Sequence, residues 1–288
     1  MVRTALIAAD PDLAGPDRLT VVPIVTTGDR IQDRPLSDIG NKGLFVKELE
    51  QALDDGRIDL AVHSMKDVET WIEPRFVIAA ILPREDPRDV FISFLASDPK
   101  SLPEAAVFGT TSLRRQAQML ALRPDLQPVV FRGNVESRLR KLREGQAQAT
   151  FLALAGLNRL GLAHVATCVL DPEDMMPAAA QGAIGVQCRA DDAPLRDLLS
   201  LIDHAESAAA VAAERALLAS LDGSCRTPIG ALAEIDAAGG LKLAAVLARP
   251  DGSRLWRAAR HGTMADAEAL GADAGRELRA AGDKDLFL

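Results

Sequence analysis

At 288 residues the chain is too long for one small core and suits two or three domains of ordinary size. Hydrophobic residues make up 48% of it, with 8 Phe, 2 Trp and no Tyr, so Leu, Ala, Val and Ile must fill the interior. A net charge of −8 excludes a general nucleic-acid or membrane-surface binder, because such proteins need a positive field to attract phosphates. No stretch approaches the ~18 uninterrupted apolar residues of a membrane span. Met1 to Ala9 carries one Arg and a short apolar run, then meets Asp10-Pro11-Asp12 without a cleavage site, so no signal peptide is expected. The 3 Cys residues show neither metal-ligand spacing nor an even-numbered framework, and the expected compartment is the cytoplasm.

Short apolar runs alternate with amphipathic stretches over the first two-thirds of the chain. Leu19 to Thr26 reads as a strand, Gly43 to Asp55 as a helix, and Ile58 to Val62 and Phe76 to Leu82 as strands. The charged, proline-bracketed segment from Pro83 to Asp89 reads as an inter-domain crossing. Val107-Phe108 then leads through Gly109-Thr110-Thr111-Ser112 into a helix from Leu113 to Leu122. Val129 to Phe131 leads through Arg132-Gly133-Asn134 into a helix from Val135 to Arg143, and a strand from Ala149 to Leu154 precedes a turn and helix to Leu162. Pro177 to Gly185 looks like a second crossing. From Ala205 the chain opens a long Ala-rich helix, followed by Gly223-Ser224-Cys225, strands at Ile229 to Ile235 and Leu241 to Leu247, and a helix from Ala265 to Ala280. The alternation favours an α/β architecture ending in a small α+β domain.

The densest chemical signal is basic residues placed where strands end and helices start. Gly109-Thr110-Thr111-Ser112-Leu113-Arg114-Arg115 sets hydroxyls and free N–H groups at a helix N-terminus, which favours anions, and adds two guanidinium forks matched to carboxylate. Arg132-Gly133-Asn134, with Arg138 and Lys141 behind it, repeats the arrangement. Most Arg-Arg pairs are solvated helix faces, but two such loops at the ends of adjacent strands suggest a shared anion site. Each charge-assisted hydrogen bond there contributes about 1.5–3 kcal/mol. With no nucleotide-binding G-x-x-x-x-G-K-[ST] run, a polycarboxylate is the expected ligand.

His63-Ser64-Met65-Lys66-Asp67-Val68 follows a strand and sets a carboxylate beside a cation, although Lys-Asp neighbours are more often plain surface residues. His63 reads as a packed or locally bonded residue rather than a metal ligand. Cys168 and Cys188 sit in apolar runs and read as buried small hydrophobes. Cys225 lies in a loop beside Arg226, which favours the thiolate; an inert loop thiol is the alternative.

Taken in order, these runs resemble the porphobilinogen deaminase family. They stand here as Thr27-Gly28-Asp29, Lys42-Gly43-Leu44-Phe45, His63-Ser64-Met65-Lys66-Asp67-Val68 and Arg84-Glu85-Asp86-Pro87-Arg88-Asp89. They continue as Gly109 to Arg115, Arg132-Gly133-Asn134-Val135, Ala155-Gly156-Leu157, Gln181-Gly182-Ala183 and Cys225-Arg226-Thr227-Pro228-Ile229-Gly230. The resemblance implies a cytoplasmic transferase that condenses four porphobilinogen molecules head to tail into hydroxymethylbilane, releasing ammonia, in haem- and chlorophyll-type tetrapyrrole biosynthesis. It implies a dipyrromethane cofactor held on Cys225 by a thioether. Asp67 becomes the catalytic carboxylate, assisting loss of ammonia and stabilising the cationic azafulvene. Lys66, Ser112, Arg114, Arg115 and Arg132 become cofactor-binding residues, and Arg138, Arg159 and Lys42 substrate-binding ones. Every pyrrole carries an acetate and a propionate, which accounts for the basic lining.

The resemblance also implies three domains, the first two like periplasmic binding proteins with mixed sheets around a hinged cleft. Residues 1–82 with 183–201 form the first, 88–177 the second, and 205–288 a small α+β third that carries Cys225. A monomer is implied, with no metal, nucleic-acid or membrane partner, handing its product to the next enzyme of the pathway. The family normally opens with a strand and a T-R-x-S-x-L-A-x-x-Q motif that has no counterpart here, so Met1 aligns with the middle of the first helix. That difference predicts an exposed edge in the first sheet and weaker cofactor assembly. Smaller departures are Asn41 and Ala180 where Gly is usual, and Gln187 where Glu is common. The competing readings are an inactive truncated relative and a non-catalytic polycarboxylate-binding protein of the periplasmic-binding type.

Overall fold

The computed structural model describes residues 1–30, 46–222 and 227–287, so Lys42 and Cys225 lie outside the described residues. Within it the chain is α/β, with its strands in three sheets. The first sheet joins β1 (Leu60–Ser64), β2 (Phe76–Ile81) and β8 (Ile184–Arg189) in the order β1-β8-β2, antiparallel throughout. On one of its faces α1 (Val2–Ala9) and α7 (Ala193–Ser200) bury Val2, Leu6 and Leu199 against Ala80, Val186 and Cys188. On the other, α3 (Lys47–Asp54) sets Leu53 against Ala61 and Phe76. A short α2 (Thr27–Arg30) precedes α3.

The strand expected at Leu19 to Thr26 does not form: these residues have no sheet partner. A strand exists only through its ladder. Here a cavity of about 970 Å³, lined by both apolar and charged residues, opens among the described residues between Leu19, Val21 and Ile24 and the outer edge of β1. Pro23 also removes a donor from the middle of the run. Val21 and Val25 are consequently exposed.

The second sheet is mixed. It holds β3 (Asp89–Ser93), β4 (Val107–Gly109), β5 (Gln127–Val129), β6 (Ala149–Ala153) and β7 (Cys168–Val169), in the order β5-β4-β6-β3-β7. β4 runs parallel to both β5 and β6, whereas β3 is antiparallel to β6 and β7. α4 (Leu113–Leu122) links β4 to β5, α5 (Val135–Arg143) links β5 to β6, and α6 (Leu154–Arg159) follows β6. Phe91, Phe108 and Phe151 fill one face, the last two rings meeting edge to face at 6.0 Å. Val90, Ile92, Phe131, Leu139 and Leu157 fill the other, so β3 is apolar on both sides. The connection leaving β4 runs to one flank, to β5, and that leaving its neighbour β6 runs to the other, to β7, so the chain turns away from their adjacent carboxyl ends in opposite directions. Such a switch point opens a crevice for ligands.

The third sheet is an antiparallel meander of β9 (Ile229–Ile235), β10 (Gly240–Ala248) and β11 (Leu255–Thr263). α8 (Ala205–Ser220) and α9 (Ala267–Ala281) cover it, burying Ala213, Leu217, Ala274 and Leu278 on Leu241, Leu243 and Leu247. The two helices approach so closely that a Cβ at Gly271 would lie 2.0 Å from the Ala213 carbonyl oxygen. Gly271→Ala is expected to force the helices apart and cost about 1–3 kcal/mol. An unchanged melting curve would count against this packing. No helix of the described residues is long and apolar enough to cross a membrane.

The two segments expected to cross between units lie side by side. Leu82 N–H donates to Ile184 O at 3.0 Å, and Glu85 N–H to Gly182 O at 3.2 Å. Gly182 has φ +88, and a Cβ there would sit 2.3 Å from Glu85 O, so this close approach requires glycine.

Candidate functional site

Three βα loops of the second sheet and one turn of the first carry the site residues singled out from the sequence that the structure describes. After β1 the chain tightens into a 3₁₀ turn, Met65–Asp67, anchored by the buried Met65. Lys66 and Asp67 project from it and are both exposed. Lys66 is nevertheless crowded by protein atoms, and this desolvation pushes its ammonium pKa down, opposed by Asp67 and Asp89.

The loop after β4 ends at Ser112, whose hydroxyl accepts the Arg115 N–H at 3.4 Å and caps α4. One N–H of the helix N-terminus is thus satisfied from within the chain, and its two arginines turn inward. Arg114 and Arg115 are each only 6% exposed. Both meet the carboxylate of Asp89, which opens β3 and is fully buried. Arg114 Nη1 donates to Asp89 Oδ2 at 2.7 Å and to Met176 O at 2.7 Å. Arg115 Nη2 donates to Asp89 Oδ1 at 2.8 Å, and its Nη1 donates to Phe151 O at 2.8 Å. Burial by itself pushes the Asp89 carboxyl up, but the two guanidiniums overcome it and hold the group well below the usual carboxylate range. Gln181 extends the network. Its Nε2 donates to Asp89 Oδ1 at 2.8 Å and to Pro87 O at 2.7 Å, and its Oε1 accepts from Lys66 Nζ at 3.4 Å.

The loop after β5 places Arg132 ahead of α5, which Asn134 caps by accepting the Ser137 N–H at 2.9 Å. Lys141 Nζ donates to Arg132 O at 3.0 Å, and Arg138 Nε to Gly133 O at 2.9 Å. Burial lowers the Arg138 pKa to about 10, helped by Arg115 and Arg132, the charged groups acting on it among the described residues. Arg159 closes α6. Its Nη2 donates to Gly182 O at 2.6 Å, while its buried Nε has no partner among the described residues.

The structure therefore brings Lys66, Arg114 and Arg115 around Asp89, with Arg138 and Arg132 next in line and Arg159 across the crossing segments. Lys42 and Cys225 lie outside the described residues. Asp89 and Gln181 stood in quoted motifs, yet sequence reasoning gave them no role. One signal was available: Asp89 directly adjoins the apolar run Val90-Phe91-Ile92, and a charge carried into such a strand needs a buried partner. His63 is buried and bonds across the sheet to Gln187 at 2.8 Å. Cys188 is buried as expected, whereas Cys168 is only half-buried because β7 is an edge strand.

A second buried pair, also missed, stands beside the crossings. Glu214 of α8 is fully buried and meets Arg84 in a two-pronged pair, Oε1 to Nη1 at 2.6 Å and Oε2 to Nη2 at 3.1 Å. It also accepts the N–H groups of Ala180 and Ala233. Ala180 adopts φ +59, a left-handed conformation that costs alanine free energy and is held here by the Glu214 bond. Arg215, the next residue, donates to the carbonyls of Val68 and Glu69, just beyond the Lys66-Asp67 turn.

The family model for the dipyromethane cofactor binding domain of porphobilinogen deaminase matches residues 1–197, and that for the C-terminal domain matches residues 208–280. A porphobilinogen deaminase of Paracoccus denitrificans (strain Pd 1222) is 53% identical over 94% of this chain and 86% of its own length. A chloroplastic porphobilinogen deaminase of Oryza sativa subsp. japonica is 49% identical over 99% of this chain and 80% of its own length. A solved periplasmic binding protein from Brucella ovis is similar over 76% of this chain and 59% of that one, at 18% identity and a TM-score of 0.36. On the two family models and the long, half-identical alignments, the chain belongs to the porphobilinogen deaminase family.

Proposed function

We propose that this chain condenses four porphobilinogen molecules head to tail into hydroxymethylbilane with release of ammonia, as a transferase of tetrapyrrole biosynthesis that uses a dipyrromethane cofactor. Its family membership supports the activity and the cofactor. Within the chain, the observation that carries the reading is a cluster of cations that outnumbers its one carboxylate, Asp89. Arg114 and Arg115 bond the Asp89 carboxylate directly, Lys66 reaches it through Gln181, and among the described residues the charged groups acting on Arg138 are the cations Arg115 and Arg132. A cluster so charged calls for anions from outside, and Arg159 Nε, buried and without a partner among the described residues, adds a donor. These donors fit a group bearing several carboxylates, as dipyrromethane does.

Bound dipyrromethane would supply the carbon on which the tetrapyrrole is assembled. Lys66, Ser112, Arg114, Arg115 and Arg132 are the residues we assign to holding its carboxylates, with Arg138, Arg159 and Lys42 taking those of incoming substrate. Guanidinium forks suit that task, because each pairs with a carboxylate through two bonds in a fixed plane. We assign Asp67 to the reacting ring. An ionised carboxylate there accepts a pyrrole N–H and steadies positive charge as ammonia departs, then helps remove the proton left after ring joining. Cys225 is our choice for the thioether.

The same reading takes residues 1–82 with 183–201, 88–177 and 205–288 as three domains around a hinged cleft. It makes the enzyme a cytoplasmic monomer without a metal, nucleic-acid or membrane partner. The test is the intact mass of the purified chain beside an identically prepared Cys225→Ser chain, with porphobilinogen consumption measured on both. An excess mass of two linked pyrrole units, present only with the cysteine and accompanied by turnover, is the expected result. Turnover by an unmodified Cys225→Ser chain would remove the assignment of Cys225. An unmodified, inactive chain with the cysteine intact would instead favour an inactive truncated relative or a non-catalytic polycarboxylate binder.

A further inference from the structure

We infer that Asp89 is the positioning residue of the cation site: one buried carboxylate that, directly and through Gln181, fixes the guanidiniums of Arg114 and Arg115 and the ammonium of Lys66. The inference rests on the proposed function for its consequences in turnover, but its geometry stands alone. Asp89 Oδ2 accepts from Arg114 Nη1 at 2.7 Å and Arg115 Nε at 3.3 Å, and Oδ1 from Arg115 Nη2 and Gln181 Nε2, both at 2.8 Å. Both oxygens are thereby engaged. The Gln181 amide has its orientation set by its donations to Asp89 and Pro87 O, so only its carbonyl oxygen remains for Lys66. Lys66 comes from the turn after β1, Gln181 from a crossing segment, Asp89 from the start of β3 and the arginines from α4. One line of bonds thus joins the carboxylate-binding groups of two sheets.

Asp89 is itself an anion in a site proposed to bind anions, and this makes its role testable. If it served only to damp positive charge, neutralising it would strengthen the hold on carboxylates. As a positioning residue, its loss frees the arginines to swing and weakens that hold despite the added positive charge. Buried, paired charges lose geometry when one partner goes.

The experiment compares the wild-type enzyme with Asp89→Asn and Gln181→Met by porphobilinogen turnover against pH and by NMR of the arginine side chains. Asp89→Asn is expected to lower kcat/KM at least tenfold, and to release the Arg115 Nε–H from slow exchange into the exchange of exposed arginines. Gln181→Met keeps the arginines paired but uncouples Lys66 from Asp89. Lys66 faces Asp67, Asp89, Arg114 and Arg115. In both variants the alkaline limb of kcat/KM is therefore expected to move to lower pH, a change that mere loosening of the fold does not produce. Unchanged or increased kcat/KM in a folded Asp89→Asn chain overturns the inference. If Asp89→Asn does not fold, an unmoved alkaline limb in Gln181→Met overturns it instead. A wild-type chain that consumes no porphobilinogen defeats the proposed function alone. The Arg115 signal then decides the positioning role by itself, and slow exchange retained in Asp89→Asn overturns it.

Discussion

Asp67→Asn is expected to leave the chain folded and to cut porphobilinogen turnover by about 10²–10⁴-fold, the range for loss of a positioned acid–base group. The side chain is exposed at the end of a 3₁₀ turn, so an isosteric amide disturbs no core packing. What it removes is a negative charge. The cations around Asp89 outnumber it, and that positive charge opposes every step that creates a cationic pyrrole. A carboxylate next to Lys66 is the group placed to offset that opposition. The loss should fall on kcat, with KM changed little, because the interaction is needed most when the charge develops. Intact mass and the melting curve serve as controls for cofactor loading and folding. Residual turnover within tenfold of wild type would defeat the role given to Asp67.

Local structure was legible where the signal itself is local. α4 and α5 begin and end where the sequence places them, because Ser112 and Asn134 are good caps and the apolar spacing behind them is helical. β11 was not legible. Its run of Arg257, Ala258, Ala259, Arg260 and His261 carries residues that favour helix, and only the ladder with β10 makes it a strand. The opposite error fell at Leu19 to Thr26, where valines and an isoleucine promise a strand but no neighbour completes it. β5 is displaced by two residues for a related reason: Gln127 and Pro128 look like a turn, yet β4 pairs with them.

The site divides in the same way. Loops bearing Lys66, Ser112, Arg114 and Arg132 could be read as chemistry because helix starts and strand ends are recognisable in sequence. What the arginines do inside could not be read. Their partner, Asp89, lies 25 residues from Arg114 in the chain, in a segment that looks like a charged linker. Charge pairing at that range is a property of the sheet order, which sets β3 two places from β4. The same reasoning explains why Glu214 was missed: nothing in an Ala-rich helix announces that one glutamate faces a guanidinium 130 residues away.

That glutamate carries the largest expected effect on stability. Glu214→Gln is expected to destabilise the chain by about 3–5 kcal/mol, as breaking a buried pair does, and to lower Tm on the order of 10 °C. Three losses combine in one substitution. Arg84, 10% exposed at its side chain, keeps its charge without a counter-ion. One of the two oxygens becomes an amide nitrogen, which faces either the Ala180 or the Ala233 N–H and cannot accept from it. Ala180 then loses what holds its left-handed backbone, at the segment that also carries Gln181. A compensating change discriminates between these causes. Arg84→Met together with Glu214→Leu removes both charges, and apolar replacements of a buried pair are often neutral or stabilising. If the double variant recovers most of the lost Tm, the unpaired charge is the main cost. If it melts as low as Glu214→Gln, the backbone donors of Ala180 and Ala233 are. A Glu214→Gln chain melting within about 2 °C of wild type, a shift worth under ~1 kcal/mol, would show that neither matters and that the Arg84 pair does not hold the crossings to α8 and β9.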